Sequence, residues 1–129
     1  MRAIDTNIIV RFLTRDDPKQ AVKARTLIGD GDIYVATSVL LETEWVLRSG
    51  YGFSTSQIVR ALREFAGLPG VTLEDASLSS RALDWAERSM NFADALHLGR
   101  ADGCSEFVSF DRKLAKAAAS LCEVIVTAP

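Results

Sequence analysis

A three-layer α/β/α domain built on a parallel sheet is what the 129 residues predict. Short strand-like runs alternate with helical spacings from end to end, and no repeat, low-complexity segment or long linker interrupts them. Strands joined through helices are βαβ units, which place helices on both faces of a parallel sheet. One domain over residues 1–129 is expected. A chain of this size can bury roughly two-thirds of the surface it exposes when unfolded.

The elements follow in order. Met1-Arg2-Ala3-Ile4 reads as a strand ending on Asp5. Thr6–Thr14 is apolar at Ile8, Ile9, Phe12 and Leu13, a helical spacing. Asp17-Pro18 starts the next helix, with Asp as N-cap and Pro at the first helical position, and Gly29 is its expected stop. Ile33–Ala36 is a short buried strand, followed by a helix from about Ser38 to Arg48 that Gly50-Tyr51-Gly52 breaks. Ser54-Thr55-Ser56-Gln57 has capping-box spacing and opens a helix with Ile58, Val59, Leu62 and Phe65 on its buried stripe. Leu68-Pro69-Gly70 turns into the strand Val71-Thr72-Leu73. Helices over Ala76–Ser89 and Ala93–Asp102, a strand over Glu106–Phe110, a helix over Arg112–Ser120 and a strand over Glu123–Val126 complete a sheet of about five strands.

Composition narrows the class. Hydrophobic residues at 48% and charged residues at 25% are ordinary for a soluble globular protein, which excludes a disordered chain. No apolar run approaches the ~18 residues of a membrane span. A strand that begins at the initiator Met leaves no room for a signal peptide, so a cytoplasmic protein is expected. Cys104 and Cys122 lack C-x-x-C spacing, which suits a reducing compartment and gives neither a zinc knot nor a redox pair. The net charge of -2 and pI near 5.4 argue against an undirected nucleic-acid binder. Basic residues gather locally, however: Arg11, Arg15, Lys19, Lys23 and Arg25 early on, and Arg112, Lys113 and Lys116 after Asp111.

Four acidic residues stand in apolar settings. Asp5 and Asp111 end strands, Glu42 lies within Val39–Leu47, and Asp94 lies within Phe92–Leu96. Three of them have a structural explanation taken alone: a helix N-cap for Asp111, a first-turn position for Asp94, and a buried pair for Glu42. On a helix, Val39, Trp45 and Val46 flank Glu42, so its stripe is expected to face inward, whereas Glu44 is expected to form a surface pair with Arg48. His97 is expected to pack beside the site rather than to act as a ligand. Asp16, Asp17, Asp30 and Asp32 read as solvated or capping.

Taken together, the four acids meet if the sheet is parallel, because its carboxyl edge collects strand ends and helix starts. Clustered carboxylates repel one another unless a cation neutralises them. Oxygen ligands of this kind suit Mg²⁺ or Mn²⁺, and such an ion suits metal-assisted phosphodiester hydrolysis. Ser109 shares the side of its strand with Asp111 and could offer a hydroxyl to a metal-bound water.

Asp5-Thr6-Asn7, Leu41–Leu47, Asp94-Ala95-Leu96-His97-Leu98 and Ser109-Phe110-Asp111-Arg112 resemble, in order and spacing, the motifs of PIN-domain ribonucleases. The closest likeness is to the VapC-type toxins of toxin–antitoxin pairs, and it spans essentially the whole chain. The resemblance implies a PIN-like fold with a parallel sheet of about five strands. It implies Asp5, Glu42, Asp94 and Asp111 as the catalytic, metal-binding set, with Thr6, Asn7 and Ser109 as polar support. It also implies Mg²⁺ or Mn²⁺ as cofactor, endonucleolytic cutting of RNA, a homodimer and a VapB-type antitoxin. For RNA contacts, Arg112 is the first choice and Arg11 the second, since both lie near the acidic edge.

Two other functions compete. A catalytically silent PIN-fold RNA-binding or regulatory module has no need of an intact four-acid set. A phosphotransfer enzyme or receiver domain would use Asp5 as nucleophile. Asn7 departs from the D-x-D of dehalogenase-like phosphatases, and the receiver layout of acids is missing.

Overall fold

Local signals in the sequence set most element boundaries of the computed structural model, which describes all residues, Met1–Pro129. They form two units, Met1–Ala76 and Ser77–Pro129.

In the first unit, β1 (Arg2–Ala3), β2 (Ile33–Val35) and β3 (Val71–Leu73) make a parallel sheet in the order β1-β2-β3. Arg2 lies opposite Ile33, and Ile33 opposite Val71. Parallel neighbours need crossovers. These are α1 (Thr6–Thr14) and α2 (Pro18–Gly29) between β1 and β2, then α3 (Thr37–Ser49) and α4 (Thr55–Ala66) between β2 and β3. Asp17 caps α2 by accepting from the Gln20 amide at 3.1 Å, with Pro18 at the first helical position. Both arms of the Ser54–Gln57 capping box are formed. Ile58, Val59, Leu62 and Phe65 are buried as expected, and Phe12 meets Phe65 edge-on with ring centres 5.9 Å apart.

Two helix ends differ from expectation. Gly29 is the last helical residue of α2, and the left-handed turn falls on Gly31 (φ 77°) and Asp32 (φ 58°) instead. The N-cap of α3 is Ala36, which has no side-chain acceptor; the Glu74 carboxylate, just past β3, accepts from the Thr37 amide at 2.9 Å.

The second unit holds α5 (Ala76–Glu87), α6 (Phe92–Arg100), β4 (Phe107–Val108), α7 (Arg112–Leu121) and β5 (Val126–Thr127). β4 and β5 pair in parallel, with Phe107 opposite Val126. The last strand therefore lies beyond the expected Glu123–Val126, because α7 continues to Leu121 and the next residues are used to reach the ladder. All five expected strands exist, three in one ladder and two in the other. α5 stops earlier than expected, through a Schellman turn. The Met90 amide donates to the Trp85 carbonyl at 3.1 Å and the Ser89 amide to the Ala86 carbonyl at 3.1 Å, with Ser89 left-handed at φ 75°. Asn91 then accepts from the Asp94 amide at 3.2 Å and so starts α6. Arg81 ties α5 to the end of α6 by donating to Asp102 at 2.9 Å and to the Gly99 carbonyl at 3.3 Å.

One close approach constrains the first unit. A Cβ on Gly70 (φ 80°) would lie 2.6 Å from the Gly31 Cα and 3.1 Å from the Asp32 nitrogen. Both are backbone atoms that cannot swing away, and the Gly70 carbonyl also accepts from the Ile33 amide at 2.8 Å. Gly52 (φ 68°) has open space at the same point. Gly70→Ala should therefore cost about 3 kcal/mol or more, against about 1 kcal/mol of left-handed strain for Gly52→Ala. Urea unfolding midpoints of the two variants check this, and equal destabilisation of both would contradict the close approach.

Candidate active site

The first unit carries Asp5, Thr6, Asn7 and Glu42. Asp5 follows β1 in extended conformation and caps α1, its Oδ1 accepting from the Asn7 amide at 3.0 Å. One carboxylate oxygen thus serves the helix and the other stays available. Thr6, only 5% exposed, donates its hydroxyl to Glu42 Oε1 at 2.5 Å. That bond joins the first turn of α1 to α3 and fixes where the Glu42 carboxylate points.

The face of α3 is the reverse of the expected one. Leu40, Thr43, Glu44 and Leu47 are buried, at i, i+3, i+4 and i+7, while Glu42 is exposed and Trp45 is 56% exposed. Glu44 is the inward acid, 8% exposed, and it is satisfied by Arg48, whose Nε donates at 2.9 Å and Nη2 at 3.4 Å. The Glu44 hydrogen bond holds the Arg48 guanidinium more firmly protonated than usual. Thr43 is buried without cost because its hydroxyl donates to the Val39 carbonyl at 2.8 Å.

Arg11 is not a free cation for RNA. Its guanidinium donates to Gln20 at 2.8 Å, Asp16 at 3.1 Å and the Tyr51 hydroxyl at 3.2 Å. Tyr51 donates in turn to Asp16 at 2.5 Å. The Tyr51 hydroxyl, then Thr14 and Arg11, hold the Asp16 carboxyl below the usual carboxylate range. This network fastens the end of α1 to the loop after α3, and Asp16 is part of it rather than merely solvated.

In the second unit, Asp94 and Asp111 line one cavity of about 430 Å³. Asp94 is half-buried in the first turn of α6. Asp111 caps α7, its Oδ1 accepting from the Leu114 amide at 3.0 Å. Ser109 supports it differently from the expectation of a water contact: its Oγ accepts from the Asp111 amide at 3.0 Å. The cavity also takes in Lys113 and Lys116, two of the basic residues that the sequence gathers after Asp111, together with Arg88 and Asn91, which the motifs did not single out for the site. A signal was present in Asn91, three residues before Asp94. Arg112 is exposed but does not line this cavity. His97 is exposed rather than packed.

Neither unit gathers three His, Cys, Asp or Glu side chains into a ready-made metal cage. Mg²⁺ does not require one, since it is commonly held by one or two carboxylates and keeps several waters. Asp94 and Asp111, oxygen donors sharing one cavity, fit that requirement.

A family model of the PIN domain matches residues 3–120. The chain belongs to the PIN-domain family. PIN domains are generally nucleases, so the carboxylates described above sit in a nuclease fold. No curated protein sequence matches this PIN domain. No helix of it is long and apolar enough to cross a membrane.

The two acids of α3 should separate stability from chemistry. Glu44→Gln removes the charge behind a buried pair and should destabilise by about 1–2 kcal/mol, with Arg48→Ala adding little on top. Glu42→Gln keeps the acceptor for Thr6 on an exposed side chain and should stay within about 0.5 kcal/mol of the parent. Chemical denaturation of the three variants and the double variant decides it, and a larger loss from Glu42→Gln would reverse the face assignment.

Proposed function

We propose that this PIN domain is a Mg²⁺- or Mn²⁺-dependent endoribonuclease, the toxin of a VapBC-type pair, working as a homodimer and restrained by a VapB-type antitoxin. The observation that carries the nuclease reading is the pair Asp94 and Asp111 lining one cavity in a PIN-family chain. The toxin reading is supported by the motif order from Asp5-Thr6-Asn7 to Ser109-Phe110-Asp111. In this reading the two ladders belong to one parallel sheet of about five strands, and Asp5 and Glu42 join Asp94 and Asp111 at its carboxyl edge.

Asp94 and Asp111 would hold the ion, with Asp5 and Glu42 completing its oxygen ligands. When bound, such an ion lowers the pKa of a water and offsets charge developing on the phosphoryl oxygens. The protein's own part is positional. Asn91 fixes the first turn that carries Asp94, while Ser109 and the Leu114 amide fix Asp111. Thr6 does the same for Glu42, so these acids would receive an ion without reorganising.

Asn substitutions give a clean test, because Asn is as good an N-cap as Asp at position 111, and at position 94 the helix start is held by Asn91. Asp94→Asn and Asp111→Asn should lower Mn²⁺-dependent RNA cleavage by at least about a hundredfold, an estimate scaled on the loss of one preorganised electrostatic group. Glu42→Gln should do likewise. Melting temperatures without metal should be unchanged or higher, since one of several like charges is gone. Cleavage that survives EDTA, or survives all three substitutions, would refute the proposal. Growth arrest on expression, relieved by a co-expressed antitoxin, tests the toxin role separately.

A further inference from the structure

The cavity that holds Asp94 and Asp111 carries both signs of charge. One wall is a single face of α7, with Lys113, Lys116 and Ser120 at i, i+3 and i+7. The opposite rim is the link from α5 to α6, where Arg88 precedes the left-handed Ser89. The Schellman turn fixes this rim, and the Arg88 amide itself donates to the Trp85 carbonyl at 3.0 Å.

Arg88, Lys113 and Lys116 are exposed and none forms an ion pair, although two carboxylates line the same cavity. Here the acids and cations stay apart, which suits a ligand that is itself anionic and brings a metal with it. The chain's net charge of -2 gives no general attraction for a polyanion, so any affinity must come from local groups of this kind. A volume of about 430 Å³ admits one nucleotide-sized group.

We infer, on the basis of the nuclease reading above, that Lys113, Lys116 and Arg88 bind backbone phosphates adjoining the cleaved one. These residues replace Arg112 and Arg11 as the phosphate contacts. Each neutralised phosphate releases counterions, so removing any one of these cations should flatten the salt dependence of binding to a single strand by about 0.7 on a log–log scale.

The test uses the full chain, a short fluorescent single-stranded RNA and fluorescence anisotropy in EDTA, where cleavage is silent. Lys113→Gln combined with Lys116→Gln should reduce the slope by about 1.4 and weaken binding about 25-fold at 0.1 M salt, which is that slope change expressed at this concentration. Lys19→Gln combined with Lys23→Gln removes the same charge from exposed positions of α2 and should leave affinity within about twofold. Parent-like affinity and slope in the Lys113/Lys116 variant, or equal weakening in the Lys19/Lys23 variant, would each overturn the inference. If that happens while the parent still cleaves RNA with Mn²⁺ and Asp94→Asn does not, only this inference falls. A parent that neither binds nor cleaves RNA removes both.

Discussion

Asp5, Asp94 and Asp111 all stand at helix starts, and that placement governs what the rest of the structure can do with them. A helix N-terminus presents unpaired amides and a partial positive charge, so it is a favourable place for an acceptor side chain. Asp5 and Asp111 each give one oxygen to a backbone amide and keep the other. The structural and functional explanations of these residues therefore do not compete. An N-cap aimed by its own helix is a carboxylate whose direction is fixed before any ion or substrate arrives. Glu42 lies in mid-helix, without free amides, and Thr6 supplies its fixing bond instead.

Signals confined to a few neighbouring residues were legible in the sequence. Asp17-Pro18, the Ser54–Gln57 box, the stripe of α4 and the Asp cap of α7 all follow from chemistry within one helical turn, whereas the cap that Asp5 gives α1 was read only as a strand end. The face of α3 was not legible for a definite reason. Val39, Leu40, Leu41, Trp45, Val46 and Leu47 surround both glutamates, so two apolar stripes are available and either acid can be drawn inward. The aromatic Trp45 favours the wrong stripe. What decides the matter is that Glu44 has Arg48 one turn along to satisfy it when buried, the very pair that suggests a surface position. Partners distant in sequence were invisible as well. Glu74 caps α3 from 37 residues away, and Arg11 is held by Tyr51 across 40.

For the site, the sequence supplied the acids and not the cavity. Asp94 and Asp111 could be named from their motifs, but their common cavity and its basic wall depend on how α7 turns one face toward the α5–α6 link. The division of labour on α3 has the same origin. Glu44 is held inward by Arg48, while Glu42 is exposed and held by Thr6. Two residues apart on one helix, they are oriented by different partners.

The nuclease proposed above requires that Asp5 and Glu42 act on the same ion as Asp94 and Asp111. Paramagnetic broadening by Mn²⁺ in an amide-resolved NMR spectrum tests it most directly. Substoichiometric Mn²⁺ should broaden the amides of Thr6 and Asn7 together with those of Asp94 and Asp111, at one common concentration, and Asp94→Asn should abolish the effect on both groups. Broadening confined to one group, or two groups responding at different concentrations, would contradict a shared ion.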